Sequence, residues 1–544
     1  MQITRRSMMS ASAMAVGGIF TAGLARAIEP DRLFPIVDTA QGKVRGQSAG
    51  GISKFKGIRY GANTTGRNRF MPPTAPSTWA GVRDAFDYGQ ITPQMPESKL
   101  IDYTALIDFD IQPGGMGEDC LVLNLWSPAL DRNRKLPVLV HLHGGGFYGG
   151  SGNSAGYDGE ALARFGNCVV ITINHRLGAF GFLNLTEAGS HYAHSGTVGM
   201  MDVVAALHWV KENVAGFGGD PSRVLVFGQS GGGAKTSTLM SMPSAKGLFH
   251  RAGVMSGAMI KLATAEQAQI QTHALLKQLG LTVKQADQLQ VLPFTTILAA
   301  QATLEAGDRA KGEAPRSFSP SIDGDVLPIN PFDPGAPAIS SDIPMIVSTA
   351  LDERAYRKVN FDLDEAGLRK FIAARVGDGR ADDVLAMYRK DDAKATPFVL
   401  QARFDSDESF RKSAYLMADR KAIQGAAPIW SYLYAMPAPA FGGRYGTPHG
   451  SDVGPSLHNV IGGLTGTTPT FQRLADQLAS AWVSFAATGD PNNARLPAWP
   501  AYKVPERDVM VFGEKSRVER DPRGQFREFW TKEPPLTAPT KPGA

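Results

Sequence analysis

The sequence predicts an α/β fold, with a large, mostly parallel central sheet flanked by helices on both faces and further helices inserted above one sheet edge. Three observations carry that expectation. Apolar strand-like runs at 121–126, 136–142, 169–174 and 224–227 alternate with loops and helical stretches, among them 203–214, where apolar residues recur at helical spacing. The runs at 136–142 and 224–227 are almost continuously apolar, the pattern of parallel strands buried on both faces. The second of them passes through Gly228-Gln229-Ser230-Gly231-Gly232 into the small-residue stretch Gly231-Gly232-Gly233-Ala234, which reads as strand, sharp turn and helix.

From Ile28 the chain opens with short strands separated by Gly and Pro, followed by the proline-rich loop Met71-Pro72-Pro73-Thr74-Ala75-Pro76 and Trp79. Gly46 to Gly50 lies between two short alternating runs and is expected to be a hairpin loop. Past Ser256 helical patterns dominate, at 265–279, 283–292 and 406–423, interrupted by 343–349 and 429–434, which read as later strands of the same sheet. The helices between those strands can wall a substrate pocket above the sheet edge. No composition break divides residues 28–544, so they are expected to form one catalytic domain.

Hydrophobic residues at 43% and charged residues at 20% suit a large globular core, and no repeat or low-complexity tract suggests a solenoid or disorder. Residues 1–27 join a basic start (Arg5-Arg6), a mildly apolar stretch from Ala11 to Leu24 and the cleavage signal Ala25-Arg26-Ala27. They read as a twin-arginine-type signal peptide rather than a membrane anchor, being short and rich in Gly, Ala and Ser. The precursor is then a client of the twin-arginine export machinery, and the protein is exported, periplasmic or secreted, from a bacterium. Three of the 56 basic residues fall in that segment and none of the 51 acidic ones, so the formal charge of +5 shrinks on its removal. A nearly neutral chain without a basic stripe excludes nucleic acid as the expected partner. With no later run of 18 apolar residues, no membrane association is expected after processing. Cys120 and Cys168 are too few for a disulfide scaffold and lie in apolar runs, so they are expected as buried free thiols.

Ser230 is the candidate nucleophile. The same five-residue pattern occurs at Gly46-Gln47-Ser48-Ala49-Gly50, but only the Ser230 copy follows a buried-type strand and precedes a helix. A serine hydroxyl needs a general base in hydrogen-bond reach and a carboxylate to orient that base. In the α/β-hydrolase chain order of serine, acid, histidine, only His449 and His458 follow the strand at 343–349, and His449 is preferred because its loop directly follows the strand at 429–434. The acid belongs on the loop after 343–349, where Asp352 and Glu353 stand together, and the residues alone do not choose between them. Backbone N–H groups of Gly144, Gly145 and Gly146, at the end of the run 136–142, with that of Gly231, can stabilise an oxyanion. A metal site at His141 and His143 lacks a third ligand, so no metal or cofactor is expected.

These motifs resemble those of type-B carboxylesterases, the family of bacterial para-nitrobenzyl esterases, animal carboxylesterases and cholinesterases. The likeness runs through Phe55-Lys56-Gly57-Ile58-Arg59-Tyr60, Arg69-Phe70, Glu118 to Asn124, His143 to Phe147 and Asn174-His175-Arg176-Leu177-Gly178. It continues through Phe217 to Pro221, the Ser230 turn, Ser256-Gly257, Asp352-Glu353, His449-Gly450, Gly489 to Asn492 and Trp499-Pro500. The resemblance implies an α/β-hydrolase fold and hydrolysis of a small-molecule carboxylic ester through an acyl-enzyme. It implies Ser230, His449 and Glu353 as the triad, Gly145, Gly146 and Gly231 as oxyanion donors, and Ser256 as a supporting hydrogen-bonding serine. It also implies that Arg69 with Glu118, and Arg176 with Asp202, are buried structural ion pairs. An amidase or thioesterase of the same fold is the alternative, since only the leaving group differs, and a catalytically silent binding protein is a more remote one.

The chain departs from the family pattern at Gln229 and Gly231, where Glu and Ala are usual, and at Arg354, where a small residue is usual. At Asp110 it has an acid where cholinesterases place their choline-stacking tryptophan, so affinity for cationic substrates is not expected.

Overall fold

The computed structural model describes residues 33–95, 106, 113–311 and 316–533. The expected signal peptide at 1–27 and Asp110 lie outside the described residues. Three short strands, β1 (Ile36–Asp38), β2 (Lys43–Arg45) and β5 (Val82–Asp84), form a small sheet. The other eleven make one twisted mixed sheet. In chain order these are β3 (Gln47–Ala49), β4 (Ile52–Arg59), β6 (Val122–Ser127), β7 (Leu136–Leu142), β8 (Val169–Ile173), β9 (Gly219–Gln229), β10 (Arg251–Met255), β11 (Met345–Ala350), β12 (Ile429–Tyr434), β13 (Asp508–Phe512) and β14 (Arg517–Arg520). Their spatial order is β14-β13-β12-β11-β10-β9-β7-β8-β6-β4-β3. From β8 to β13 all neighbours are parallel, while β3, β4, β6 and β14 add antiparallel edges.

The expected mostly parallel sheet is therefore present, with mixed edges. Every residue of β7 is buried, as its apolar run requires. Period-two alternation then sends Val138, Val140 and Leu142 into the core on one face and Leu139 into the core on the other. The first core is closed by helix α1 (Val198–Asn213) through Met200, Val203, Leu207 and Val210. Two further helices matter here: α2 (Gly231–Leu239), and α3 (Pro469–Thr488), which closes the second core through Leu474, Leu478, Trp482 and Phe485. Among the described residues no helix is long and apolar enough to cross a membrane.

The Gly46–Gly50 segment differs from expectation. Gln47–Ala49 is itself a strand, paired antiparallel with β4, and the turn falls at Gly50-Gly51. Ser48 thus lies on an edge strand, opposite Ser53, with no helix behind it. The expected helix at 406–423 is the second half of a longer one: Pro397–Ser406 and Lys412–Gln424 are α-helical and a π turn, Asp407–Arg411, joins them. Cys120 and Cys168 are buried free thiols.

Both expected ion pairs are buried. Arg69 Nε and Nη2 donate to Glu118 at 2.6 and 2.5 Å. Arg176 Nε and Nη2 donate to Asp202 at 2.8 and 2.6 Å, and Arg176 Nη1 reaches the Met71 carbonyl at 2.7 Å. The second pair ties the loop after β8 to α1, with every carboxylate oxygen of Asp202 bonded. Deleting one partner strands a desolvated charge, so Arg176→Met should cost about 3–5 kcal/mol of folding free energy. Urea denaturation reads that loss; an unchanged midpoint would contradict it.

Candidate active site

The chain runs from β7 outward to β8, then back across to β9, so the carboxyl ends of β7 and β9 flank a topological switch point. The Ser230 turn and the His143–Phe147 loop both start there. Ser230 follows β9 with φ 58° and ψ −119°, a backbone conformation unusual for a side-chain-bearing residue, and α2 begins at the next residue. The Ser230 N–H donates to the Met255 carbonyl at 2.8 Å and its own carbonyl accepts from Ala234 at 3.0 Å, which fixes the strained turn between β10 and α2. The first turn of α2 lies against the end of β7. A Cβ on Gly228 would sit 2.3 Å from the Leu142 carbonyl oxygen, and one on Gly232 only 1.9 Å from it. Nothing larger than hydrogen fits, so the glycines flanking Ser230 answer to close packing of two backbones.

The His143–Phe147 loop leaves β7 beside this turn. Gly144 N–H is occupied, donating to the Tyr157 hydroxyl at 2.9 Å. The N–H groups of Gly145 and Gly146, at φ 85° and 61°, and that of Gly231 at the helix start donate to no acceptor among the described residues. The two loops touch at this point: a Cβ on Gly231 would lie 2.4 Å from Gly146 N and 2.3 Å from its carbonyl oxygen. The family-typical alanine at 231 has no room in this arrangement, which accounts for that departure.

Of the two acids, the structure separates what the sequence left together. Glu353 Oε2 meets His449 Nδ1 at 2.5 Å, and Glu353 Oε1 accepts from Ala350 N–H at 2.8 Å. Asp352 turns the other way, accepting from Arg403 Nε at 2.8 Å and from Thr447 N–H at 2.9 Å, and so staples the histidine loop. A backbone bond from His449 N–H to the Glu353 carbonyl at 3.3 Å adds to that staple. The imidazole of His449 is stacked on Tyr356 with centroids 4.9 Å apart and flanked by Phe410 at 4.9 Å. Arg357 hydrogen-bonds the hydroxyls of both Tyr356 and Tyr148, and so joins the turn beside the imidazole to the loop two residues past Gly146. His458 goes elsewhere, to Asp476 at 2.8 Å and onto Phe165.

The acid turn is buttressed from beneath. Arg411, on the π turn, donates to the carbonyls of Ala350 at 3.0 Å and Leu351 at 2.7 Å, and to Asp407 at 2.6 Å. Burial alone would raise the Asp407 carboxyl, but the Arg523 and Arg411 guanidiniums hold it down at about 2. Asp452, three residues past His449, is fully buried; desolvation first and the charge of Glu353 second push its carboxyl up to about 7, against a hydrogen bond from Tyr432 at 2.8 Å. No sequence pattern singled out Phe410, Tyr356 or Asp452; proximity to His449 was the only signal for the last.

Ser256 stands at the end of β10 beside Ser230, held by its N–H to the Ser348 carbonyl at 2.9 Å. Its Oγ is buried with no hydrogen-bond partner among the described residues, so the supporting bond that the family resemblance implies is absent here. The His141 ring packs between Tyr157 and Phe227, and His143 stacks on His175 while its Nδ1 meets the Gly144 carbonyl at 2.8 Å. Lys235, buried beside them, donates to the His143 carbonyl at 3.0 Å and is pushed by burial down to about 7.

The chain matches the model of the carboxylesterase family over residues 34–530. It is 34% identical over 506 residues to the para-nitrobenzyl esterase of Bacillus subtilis, covering 91% of this chain and 98% of that protein. It is 32% identical to the phenmedipham hydrolase of Pseudarthrobacter oxydans, covering 90% and 97%. Its backbone superposes with a TM-score of 0.80 on an esterase from Clostridium hathewayi able to hydrolyse aliphatic aromatic polyesters, at 33% identity over 92% of this chain and 98% of that one.

Because Gly231 and Gly146 meet backbone to backbone, Gly231→Ala should push the glycine loop away from the serine. Loss of aligned oxyanion donors is worth about 10²- to 10³-fold in turnover where measured, so kcat should fall by roughly tenfold or more while the fold survives. Steady-state kinetics on a para-nitrophenyl ester checks this, and unchanged kcat would contradict it.

Proposed function

The chain belongs to the carboxylesterase family, whose model spans residues 34–530, and from that premise we propose how its residues divide the work of ester hydrolysis. The enzyme is a serine hydrolase of carboxylic esters. Ser230 Oγ attacks the ester carbonyl while His449 takes its proton. Glu353 holds the imidazole with Nδ1 protonated and stabilises the imidazolium that forms. The developing oxyanion is received by the N–H groups of Gly145, Gly146 and Gly231. His449 then returns the proton to the leaving alcohol, the acyl-enzyme forms, and water activated by the same imidazole cleaves it.

The observation that carries this reading is the 2.5 Å contact between Glu353 Oε2 and His449 Nδ1, made while Asp352 is engaged by Arg403. It leaves one carboxylate to orient the base and one to staple the loop. Ser230→Ala should abolish turnover of a para-nitrophenyl ester with the fold intact. Glu353→Gln should cost about 10⁴-fold in kcat, as an amide in the orienting position stabilises the wrong tautomer. Asp352→Asn should act chiefly on stability. A large kcat loss in Asp352→Asn without one in Glu353→Gln would reverse the acid assignment.

The family relation bears on the catalytic domain and not on its destination. Residues 1–27 carry Arg5-Arg6 before a short apolar stretch and an Ala-Arg-Ala site, which supports export of the precursor by the twin-arginine route to the periplasm or beyond. Arg5→Lys combined with Arg6→Lys should leave unprocessed enzyme in the cytoplasm on cell fractionation; normal processing of the double variant would contradict this.

A further inference from the structure

One cleft outside the triad is lined almost wholly by charge. A cavity of about 430 Å³ is bounded by Arg354, Arg357, Lys358, Asp405, Glu408, Ser409 and Lys412. That volume lies within the range of small-molecule sites, which run from roughly 300 to 1,000 Å³. Its two acids are already neutralised: Asp405 by Lys358 at 2.7 Å and Glu408 by Arg375 at 2.5 Å. The other three cations meet no carboxylate side chain among the described residues. Arg354 Nε donates to the Ser409 hydroxyl at 3.1 Å with its guanidinium over the Phe410 ring. Lys412 Nζ donates to the Glu533 carbonyl at 3.2 Å. Arg357 lies over the Tyr356 ring and faces the hydroxyls of Tyr148 and Tyr356. The cleft therefore holds an excess of positive charge presented by neutral groups.

Its position gives that charge a use. Arg354 and Arg357 lie on the same short turn as Glu353, Glu353–Arg357. The Phe410 ring centroid is 4.9 Å from the Arg354 guanidinium and 4.9 Å from the centroid of the His449 imidazole. Tyr356 likewise touches both groups, its centroid 5.1 Å from the Arg357 guanidinium and 4.9 Å from the His449 imidazole. A neutral ester gains nothing from these cations, whereas a carboxylate placed among them forms charge-assisted, potentially bidentate hydrogen bonds. We propose that this cleft is a specificity subsite for a carboxylate borne by the ester substrate, so that the enzyme favours esters carrying a second, free carboxyl group. The subsite rests on the reading of Ser230 and His449 given above and names the substrate class of that site.

The test compares monoethyl hemiesters of dicarboxylic acids, from succinate to sebacate, with ethyl alkanoates of matched length, followed by pH-stat titration. At low ionic strength kcat/KM for the best hemiester should exceed that of its neutral partner by at least about tenfold, the scale of one hydrogen bond to a charged group. That advantage should shrink in 0.5 M NaCl. Arg354→Gln and Arg357→Gln should each lower the hemiester-to-alkanoate ratio about tenfold, and Arg357→Lys should restore part of it. Free glutarate should raise KM for the hemiester without changing kcat, as expected of a ligand competing for the substrate's own subsite. A kcat effect of glutarate on the neutral ester would instead mark a separate effector site and overturn the proposal. Turnover of alkanoates with no hemiester preference at any length overturns the subsite alone. Absence of turnover on both series overturns the triad reading and the subsite with it.

Discussion

The site depends on one backbone-to-backbone contact, where the first turn of the helix after Ser230 rests on the last carbonyl of β7. Gly228 and Gly232 approach the Leu142 oxygen so closely that no side chain can intervene. That contact sets the Ser230 turn in its strained geometry and brings the glycine loop leaving β7 against Gly231. The apolar runs of β7 and β9 supply the burial that holds the strain in place, with α1 packed on one face and α3 on the other. Sheet order then does the rest, because the switch point between β7 and β9 opens a crevice at the strand ends where both loops start.

The second half of the site is assembled electrostatically. The turn Glu353–Arg357 follows β11, and two buried arginines from the helical insertion hold the residues that lead into it. Arg411 binds the carbonyls of Ala350 and Leu351, and Arg403 binds Asp352. The charges are affordable only because each is paired: Arg411 shares Asp407 with Arg523, which also reaches Asp391 at 2.8 Å. One result is a division of labour between adjacent acids, Asp352 fixing the loop and Glu353 the imidazole. Another is a turn whose outer face carries Arg354 and Arg357 toward solvent-accessible space one ring away from His449. Fold support at Ala350–Asp352 thus adjoins the proposed carboxylate subsite at Arg354 and Arg357 in one segment, 350–357.

Much of this was legible in the sequence, for physical reasons that vary by element. The strands at 136–142, 224–227 and 429–434 stand out because burial on both faces demands nearly continuous apolar runs. Ser230 was separable from Ser48 because a strand, turn and helix leave a composition trace, although Ser48 proved to lie on a strand rather than in a loop. The choice between Asp352 and Glu353 was not legible from local pattern: it depends on Arg403, some fifty residues away on an insertion helix. The π turn at Asp407–Arg411 was equally hidden, since its residues fit an ordinary helix and only the structure shows Phe410 turned toward His449. Ser256 was the reverse case, a residue identity expected to carry a hydrogen bond whose hydroxyl meets no partner among the described residues.

Ester hydrolysis by this site requires that the hydroxyl lifted by the Ser230 turn be the group that takes the acyl moiety. Rapid-quench of the enzyme with excess para-nitrophenyl acetate, followed by proteolysis and mass spectrometry, asks this directly. A burst of about one nitrophenolate per active enzyme, with an acetyl mass confined to the fragment holding Ser230, is the predicted result. A burst whose acetyl group resides on any other side chain would contradict it.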